Sequence, residues 1–278
     1  MADMGRKVAK HNLFALVIGG DQGIGFEIAA RHIELGYRVV IVGRNYDRLR
    51  SAVEQLGQLH SSATSLIAGR LCDARNSEEI AELFRQLVLE FGQPRLCHFL
   101  AGRPDPQYLD KSPARLFKHQ MEANYQTAVN CLTAILPLLN PNQRTGLVFV
   151  SSFLAVLPLP GFTAYTAAKT AVLALVRASK PELNRCNISV SCLMPTATDT
   201  PGFAKEIEHC PTELVAAQQT LPLLDAHKVA RITIAQALAG RTIILVSWQS
   251  RMLYTIAQYA PGVIEAVLYR SAGKRTST

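Results

Sequence analysis

Short apolar runs alternate with amphipathic stretches along almost the whole chain. The apolar runs lie at 13–19, 38–43, 64–71, 95–100, 146–152 and 188–194, and helical patterns lie at 23–35, 46–56, 77–91, 113–138 and 162–184. A further helix is predicted near 226–239 and a last strand near 242–248. Continuously apolar strands separated by helices are typical of βαβ units, whose parallel sheet is covered by helices on both faces. We therefore predict an α/β fold with one doubly wound parallel sheet, in a single domain over residues 1–278.

Composition and charge narrow the class of protein further. The chain has 278 residues, of which 49% are hydrophobic and 18% charged, so it can bury a full core. The net charge is +8, but the basic residues are dispersed, which argues against nucleic acid and suits an anionic cofactor or membrane face. The six cysteines form no Cys-x-x-Cys pair, and the seven histidines show no metal-ligand spacing with them. We expect reduced thiols and no metal site.

The chain shows no clean apolar stretch of the roughly 20 residues that a membrane-spanning helix needs. Its basic N-terminus leads into a short apolar run that passes directly into glycines, which favours a first strand over a signal peptide. We therefore expect a cytoplasmic protein, with peripheral contact to a membrane surface left open.

A glycine-rich turn, "IGGDQGIG" at 18–25, follows the first predicted strand and precedes a helix. Gly19, Gly23 and Gly25 allow a tight turn and close approach of the backbone to a phosphate group. The unpaired N–H groups at the helix start favour an anion. A glycine motif on its own can be a plain turn, but in this position it predicts a dinucleotide site and a Rossmann-like sheet.

The end of the second predicted strand indicates which dinucleotide binds. An acidic side chain here would hold the ribose 2′-hydroxyl of NAD, yet the sequence has Gly43 followed by Arg44. A guanidinium can bind the 2′-phosphate of NADP through charge-assisted hydrogen bonds. NADPH or NADP is the predicted cofactor, and Arg48 and Arg50 are interpreted as solvated side chains.

The helix that begins near residue 162 carries Tyr165 and Lys169, which share one face because they are four residues apart. A phenol with a pKa of about 10 is a poor proton donor at neutral pH. An ammonium ~4 Å away would favour its ionisation by about 4 kcal/mol at an effective dielectric constant of 20. The upstream strand ends in Ser151 and Ser152, which brings a hydroxyl to the same edge of the sheet. Together these groups predict a proton-transfer site.

These motifs resemble the short-chain dehydrogenase/reductase family over roughly residues 12–202. The family pattern is TGxxxGxG, then a catalytic Asn, Ser and YxxxK, which Asn124, Ser152, Tyr165 and Lys169 match. The resemblance implies that Tyr165 protonates a carbonyl oxygen while hydride arrives from the nicotinamide, and that Ser152 hydrogen-bonds this oxygen. It implies that Lys169 lowers the pKa of the tyrosine and holds the nicotinamide ribose. Asn124 would order a water molecule in a proton relay to Lys169.

The same resemblance implies a set of cofactor-binding residues. Asp73 matches the aspartate that contacts the adenine edge. The full set is Gly19, Asp21, Gln22, Gly23, Ile24, Gly25, Arg44, Asp73, Ala101, Gly102, Tyr165, Lys169, Pro195 and Thr198. The sequence departs from the family pattern at Ile18, at "FLAG" (99–102) and at Thr196, where the family prefers threonine, NNAG and glycine. These departures affect the bracing of the cofactor loop.

A narrower resemblance comes from "PGFTAYTAAK" and "PTATDTPGF", which are similar to the 3-ketodihydrosphingosine reductase branch. It implies NADPH-dependent reduction of a long-chain keto lipid, in a homodimer or homotetramer. Two alternatives stay open: a 3-oxoacyl-thioester or other lipid or polyketide carbonyl reductase, and a catalytically idle NADP-binding sensor or scaffold.

Two segments outside these motifs are assigned to the substrate side and to a surface contact. Residues 196–222 are expected to form a substrate lid that contains a short helix and apolar side chains suited to an aliphatic chain, namely Phe203, Ile207, Leu214 and Val215. Residues 251–278 place apolar residues near helical spacing, with Pro261 between them and a basic end after them. This segment could lie in a lipid interface or pack on the core or a second subunit. Its members are Leu253, Ile256, Tyr259, Val263, Ile264, Val267, Arg270, Lys274 and Arg275.

Overall fold

The computed structural model describes residues 13–210 and 223–260, together with residues 215 and 262. Nine strands lie in these ranges: β1 Phe14–Ile18, β2 Arg38–Gly43, β3 Ile67–Leu71, β4 Leu96–Phe99, β5 Thr145–Val150, β6 Ile188–Leu193, β7 Thr198–Asp199, β8 Leu224–Asp225 and β9 Ile243–Ile244. Seven form one sheet in the order β3-β2-β1-β4-β5-β6-β9, in which every neighbouring pair is parallel. Strands β7 and β8 form a separate parallel pair.

The α-helices of the described ranges are α1 Gly23–Glu34, α2 Tyr46–Leu59, α3 Ser77–Phe91, α4 Ala114–Gln120, α5 Thr127–Ile135, α6 Thr163–Arg185, α7 Pro201–His209, α8 Ala226–Leu238 and α9 Trp248–Tyr259. They cover both faces of the sheet. Side chains alternate along each strand, so each strand contributes apolar side chains to both faces. Leu16 and Ile18 of β1 pack into one buried cluster with α3, α5 and α6, while Ala15 and Val17 pack into another with α1, α2 and α8. The predicted doubly wound α/β fold is confirmed.

Helix starts follow from local side-chain chemistry. The Asn45 side chain accepts a hydrogen bond from the Arg48 backbone N–H, and the Asn76 side chain accepts from the N–H groups of Glu78 and Glu79. Caps of this kind stabilise a helix by about 1 kcal/mol each. Along α3, Ile80, Leu83, Phe84 and Leu87 are buried at the spacing of one helix face. Such a face docks the helix on the sheet and leaves its acidic and basic residues in water.

Three sequence-based boundaries were wrong. The strand predicted at 64–71 begins at residue 67, because Ser61–Leu66 forms a 3₁₀-helix in which Thr64 and Ser65 are exposed. The helix predicted at 113–138 is α4, a π-helical segment Met121–Gln126 and α5, and Leu136–Leu138 is a 3₁₀ turn with Pro137. The strand predicted at 242–248 has two residues, since Ser247 caps α9 through a reciprocal hydrogen bond with Ser250.

The C-terminal prediction is only partly covered by the structure. Helix α9 includes the predicted apolar positions Leu253, Ile256 and Tyr259. Val263, Ile264, Val267, Arg270, Lys274 and Arg275 lie outside the described residues, as do residues 1–12 and Leu214. In the described part of the chain, no helix combines the length and the apolar character that crossing a bilayer requires.

Candidate active site

A cavity of about 460 Å³ opens at the carboxyl ends of the parallel strands. Its wall is built from the glycine-rich turn after β1, the end of β2, the segments after β3 to β6, and helices α6 and α7. Ligands of open α/β sheets bind at this edge. Every predicted cofactor-binding residue from Gly19 to Thr198 lines the cavity, and so does Ser152.

The glycine-rich turn folds in a way that only glycine permits. Gly19 and Gly23 have φ angles of +79° and +56°. A Cβ on Gly25 would lie 2.0 Å from the Gly19 carbonyl oxygen. The Gln22 side chain does not cap α1, and the first turn of this helix has no acidic residue. The turn and the helix start therefore fit a diphosphate, whose charge the helix N–H groups attract.

The end of β2 lies against the glycine-rich turn. A Cβ on Gly43 would lie 3.1 Å from Cγ of Asp21. The carboxyl of Asp21 therefore occupies the space into which an acidic side chain at position 43 would extend. Asp21 Oδ2 accepts a hydrogen bond from Arg48 Nε at 3.1 Å, and the Asp21 side chain is 8% exposed. Arg44 and Arg48 both line the cavity.

Arg48, interpreted from the sequence as a solvated side chain, is 44% exposed and also binds Asp21 at the cavity, whereas Arg50 pairs with Glu54 on the outer surface. The sequence offered one signal for Arg48. It lies four residues after Arg44, on the first turn of the helix that follows β2.

In the segment that follows β3, which also lines the cavity, Asp73 is bound by Arg75. Nε of Arg75 lies 3.0 Å from each carboxylate oxygen, and Nη2 and the backbone N–H of Arg75 donate further bonds. These hydrogen bonds hold the pKa of Asp73 below its usual value. Arg75 itself lines the cavity and was missed by sequence reasoning. The Asp73 carboxylate predicted to contact adenine thus already holds a guanidinium.

The catalytic candidates Ser152, Tyr165 and Lys169 meet in the cavity wall. Lys169 Nζ lies 5.6 Å from the centroid of the Tyr165 ring and donates a 2.9 Å hydrogen bond to the carbonyl oxygen of Val150. Ser152 is hydrogen-bonded to Tyr165. The Ser151 hydroxyl donates to the Lys169 carbonyl at 2.7 Å, which fixes the end of β5 against α6. The structure thus brings together the groups that the helical spacing and the strand end predicted.

The expected direction of the Tyr165 pKa was wrong. Burial raises the pKa of Tyr165, the nearby Glu206 carboxylate raises it further, and the hydrogen bond from Ser152 opposes both. Burial also lowers the pKa of Lys169 to about 8. The sequence argument expected an ammonium ~4 Å from the phenol to outweigh the loss of hydration, but this loss acts against the charged form of both groups and is the largest effect on each.

Asn124 lies behind the cavity wall. Its side chain is 1% exposed within the π-helical segment, and Nδ2 donates to the Gln120 carbonyl and to Gln120 Oε1, both at 3.0 Å. Oδ1 has no hydrogen-bond partner among the described residues and lies next to Gly102, where a Cβ would be 2.2 Å away. The neighbours Ala123 and Thr127 line the cavity, and Asn124 does not. The role of Asn124 in a water relay stays a prediction.

The remaining cavity wall is largely apolar. Phe153, Leu154, Leu157 and Leu159 come from the segment after β5, and Phe203 comes from α7. Glu206, also on α7, lies in the same wall and is partly buried. No sequence pattern singled out Glu206, which falls inside the predicted lid.

A parallel sheet of this strand order, a glycine-rich turn and a Ser-Tyr-Lys set define an oxidoreductase of a known class. The chain belongs to the short-chain dehydrogenase family, whose family model, described as short chain dehydrogenase, matches residues 13–211.

Among its curated relatives are a 3-dehydrosphinganine reductase of Danio rerio and a 3-ketodihydrosphingosine reductase of Bos taurus. Each is 27% identical over 226 residues, which are 81% of this chain and 68% of the relative. These relatives confirm the narrower resemblance noted in the sequence. A solved short-chain dehydrogenase/reductase of Burkholderia phymatum, in complex with NAD, has the same fold. Its TM-score is 0.78 at 22% identity, and the match covers 91% of this chain and 94% of that one.

Proposed function

We propose that this protein uses NADPH to reduce a ketone to a secondary alcohol, and that the ketone is 3-ketodihydrosphingosine. The observation that carries the reductase assignment is that Ser152, Tyr165 and Lys169 line the same cavity as the glycine-rich turn. The names of the curated relatives support the substrate. The apolar wall formed by residues 153–159 and Phe203 suits a long alkyl chain.

The preference for NADPH is supported by the charges at the end of β2. Gly43 brings no acid to the strand end, the neighbouring Asp21 carboxylate is already bound by Arg48, and the guanidinium groups of Arg44 and Arg48 line the wall there. The glycine-rich turn and the start of α1 would hold the diphosphate, and Lys169 would contact the nicotinamide ribose. The cofactor would supply the hydride.

The residues of the chain would handle the proton. The Tyr165 phenol is protonated at neutral pH, which is the form that a proton donor requires, and its raised pKa makes it a weak acid whose phenolate must be stabilised. Its hydroxyl would give this proton to the ketone oxygen while Ser152 hydrogen-bonds the same oxygen. Lys169, with a pKa of about 8, is mostly charged at neutral pH and would stabilise the phenolate that forms.

Replacement of the catalytic phenol tests the reductase assignment. Tyr165→Phe should lower kcat by about 10²- to 10⁴-fold, because it removes the proton donor, while NADPH binding measured by fluorescence stays near that of the wild type. Tyr46→Phe is a matched control, since Tyr46 is 62% exposed and does not line the cavity. Turnover by Tyr165→Phe equal to that of the wild type would remove Tyr165 from its proposed role.

A substrate panel tests the ketone assignment. NADPH consumption should be fastest with 3-ketodihydrosphingosine and slow with acetoacetyl thioesters. The reverse order would favour the 3-oxoacyl-thioester reductase that the sequence left open, and no turnover of any ketone would favour an idle sensor.

Replacement of Arg44 and Arg48 tests the preference for NADPH. Arg44→Gln and Arg48→Gln should each raise the KM for NADPH by about 10- to 100-fold, because a hydrogen bond between charged groups contributes about 1.5–3 kcal/mol. The KM for NADH should stay within about 2-fold by the same reasoning, since NADH has no 2′-phosphate. Arg50→Gln is the control, because Arg50 pairs with Glu54 outside the cavity. Equal changes with both cofactors would contradict the 2′-phosphate assignment.

The proposal also includes contact with a lipid surface, from which a long-chain substrate would enter. Helix α9 exposes Trp248, Met252 and Tyr259, with relative exposures of 67%, 48% and 86%, and Arg251 is also exposed. Aromatic and apolar side chains with a cation beside them suit an anionic bilayer interface.

Co-sedimentation with vesicles that contain phosphatidylserine should exceed that with phosphatidylcholine alone, and Trp248→Ser with Met252→Ser should abolish it. If light scattering shows a homodimer or homotetramer, and the same double variant dissociates it, this face would be assigned to subunit packing instead.

A further inference from the structure

Two pairs of glutamine and asparagine follow one another in the helical stretch between β4 and β5. Gln120 is hydrogen-bonded to Asn124, and Gln126 to Asn130, each pair four residues apart. The first pair is almost completely buried, with 0% exposure at Gln120 and 1% at Asn124, whereas Gln126 is exposed. Two amide groups in the interior need a reason, because burial of a polar group is unfavourable unless its hydrogen bonds are made.

The orientation of the Asn124 amide follows from its partners. The backbone carbonyl of Gln120 can only accept a hydrogen bond, so the nitrogen of the Asn124 amide must face it, at 3.0 Å. The second hydrogen of the same nitrogen is donated to Gln120 Oε1, also at 3.0 Å. Gln120 therefore holds both hydrogens of this amide, and Asn124 Oδ1 must face the other way.

Asn124 Oδ1 lies against the segment that follows β4. A Cβ at Gly102 would be 2.2 Å from this oxygen, and Gly102 has a φ of +118°, so the chain passes the amide at a position that requires glycine. Leu100, Ala101 and Gly102 line the cavity, although Asn124 does not. The amide thus supports, from behind, a segment that forms part of the cavity wall.

The same segment contacts the glycine-rich turn. The Leu100 N–H donates to the carbonyl oxygen of Ile18 at 3.0 Å, and a Cβ on Gly19 would lie 3.4 Å from the backbone nitrogen of Ala101. A continuous row of contacts therefore leads from the buried amide pair, through the segment 100–102, to the turn that would hold the diphosphate.

The composition of this segment makes outside support necessary. Residues 99–102 are Phe, Leu, Ala and Gly, and none of these side chains can form a hydrogen bond. The amide pair itself is not optimal for stability, because Gln120 Nε2 and Asn124 Oδ1 have no hydrogen-bond partner among the described residues. An unsatisfied buried polar atom costs about 1–3 kcal/mol, whereas apolar side chains of the same shape would be nearly neutral. Packing alone therefore does not explain why two amides lie here.

We propose that Gln120 is a positioning residue for cofactor binding. It holds the Asn124 amide, which keeps the segment 100–102 in place beside the glycine-rich turn before a cofactor arrives. This inference rests on the proposed function, since it requires that the cavity takes a nicotinamide dinucleotide. A wall that is ordered in advance binds more tightly, because less conformational entropy is lost on binding. The benefit should be equal for NADPH and NADH, since the segment brings no charge to the 2′-phosphate.

The order of the segment in the cofactor-free protein is the first test. Backbone order parameters from NMR relaxation of the wild type should be near about 0.85 at Ala101 and Gly102, the value of rigid backbone. Values below about 0.6 would overturn the inference without any variant, which covers the case that a variant does not fold.

Gln120→Met removes the acceptor and keeps a side chain of similar length. The Kd of NADPH and the Kd of NADH, measured by fluorescence titration, should both rise by about 3- to 10-fold, which corresponds to the loss of one neutral hydrogen bond. The order parameters of Ala101 and Gly102 should fall, and the effect on KM for the cofactor should exceed the effect on kcat. Gln120→Glu keeps an oxygen acceptor at the same reach and should recover part of the loss in affinity.

A double-mutant cycle separates positioning through Asn124 from general packing. In the Asn124→Ala background, Gln120→Met should raise either Kd by less than about 2-fold, because no amide is left to hold. Additive losses would overturn the inference, as would an unchanged Kd with a lower Tm in Gln120→Met. A loss with NADPH alone would also overturn it. If the wild type binds neither cofactor, the proposed function fails first, and the two failures are distinguishable.

Gln126→Met is the matched control. It breaks a 2.9 Å hydrogen bond between the same residue types, from Gln126 Nε2 to Asn130 Oδ1, and neither residue lines the cavity. The bonds from Asn130 Nδ2 to the carbonyl oxygens of Ala74 and Arg75 are made by the other side of that amide and do not involve Gln126. Both Kd values should stay within about 2-fold of the wild type, and a rise equal to that of Gln120→Met would contradict the assignment to Gln120.

Discussion

Restoring an acid at the end of β2, by Gly43→Asp, should destabilise the protein rather than simply change its cofactor. A Cβ at residue 43 would lie 3.1 Å from Cγ and 3.2 Å from Cβ of Asp21. The new carboxylate would therefore lie beside that of Asp21, whose side chain is 8% exposed. In this fold the loop acid already occupies the space that a strand-end acid would need.

The size of the penalty follows from the separation of the charges. Two carboxylates ~4 Å apart repel by about 4 kcal/mol at an effective dielectric constant of 20. The Arg48 guanidinium, 3.1 Å from Asp21, is shared between them and reduces the net cost to about 1–2 kcal/mol by our reckoning. For a chain of this length each kcal/mol lowers Tm by about 2–4 °C. Gly43→Asn has nearly the same shape without the charge, so the difference between the two variants isolates repulsion.

The pH dependence of the stability of Gly43→Asp follows from the direction of this pKa change. Repulsion raises the folded-state pKa of one carboxyl above its unfolded value of about 3.9, so the penalty is complete at pH 7 and disappears below about pH 4. Thermal unfolding of Gly43→Asp and Gly43→Asn should thus differ by several degrees at pH 7 and converge near pH 4. Adding Asp21→Ser should restore Tm and raise the NADH-to-NADPH ratio of kcat/KM at least about 10-fold, through the new ribose contact. Equal Tm values of the Asp and Asn variants at pH 7 would refute the reasoning.

Burial of the Lys169 amine, with its pKa of about 8, should make the protein more stable as pH rises from 8 to 10.5, by up to about 3 kcal/mol. Lys169→Met should lack this increase in urea unfolding, and parallel curves would contradict it. The buried His32–His98 pair, with Nε2 atoms 2.9 Å apart, should reduce stability as pH falls below about 6.5. Burial lowers the pKa of His98 to about 3 and also lowers that of His32, so at acidic pH the unfolded chain binds more protons than the folded one. The double variant His32→Leu, His98→Leu should therefore lose less stability between pH 7 and pH 4 than the wild type does. Gly102→Ala places a Cβ 2.2 Å from a buried amide oxygen at a φ of +118° and should cost about 2–4 kcal/mol. Gly92→Ala, with a φ of +81° and nothing within 4 Å, should cost about 1–2 kcal/mol and gives the backbone contribution alone.

The features predicted well from the sequence are those that depend on neighbours along the chain. The spacing of Tyr165 and Lys169 places them on one helix face wherever that helix packs, and the alternation of apolar runs determines the sheet and its two covered faces. Strands that end together at one edge also explain why Ser152 reaches this pair.

The features that were missed depend on tertiary packing. Arg75 reaches the cavity through the way the segment after β3 approaches it, which no local pattern of charges reveals. The pKa of Tyr165 moves opposite to the expected direction because burial and the Glu206 carboxylate both raise it, and neither can be read from a four-residue spacing. The π-helical turn at Asn124 likewise replaces an ordinary helical pattern without a sequence signal that we can identify.

The short parallel pair formed by β7 and β8 fastens the chain before α7 to the chain before α8, with Thr198 opposite Leu224 and Asp199 opposite Asp225. The intervening excursion, which supplies Phe203 and Glu206, therefore starts and finishes at fixed points on the scaffold. Lengthening a tethered loop is cheap, since each doubling costs only about 0.6 kcal/mol in closure entropy. Residues could be inserted or exchanged there to suit a different head group or tail while the sheet that holds the reacting groups stays as it is.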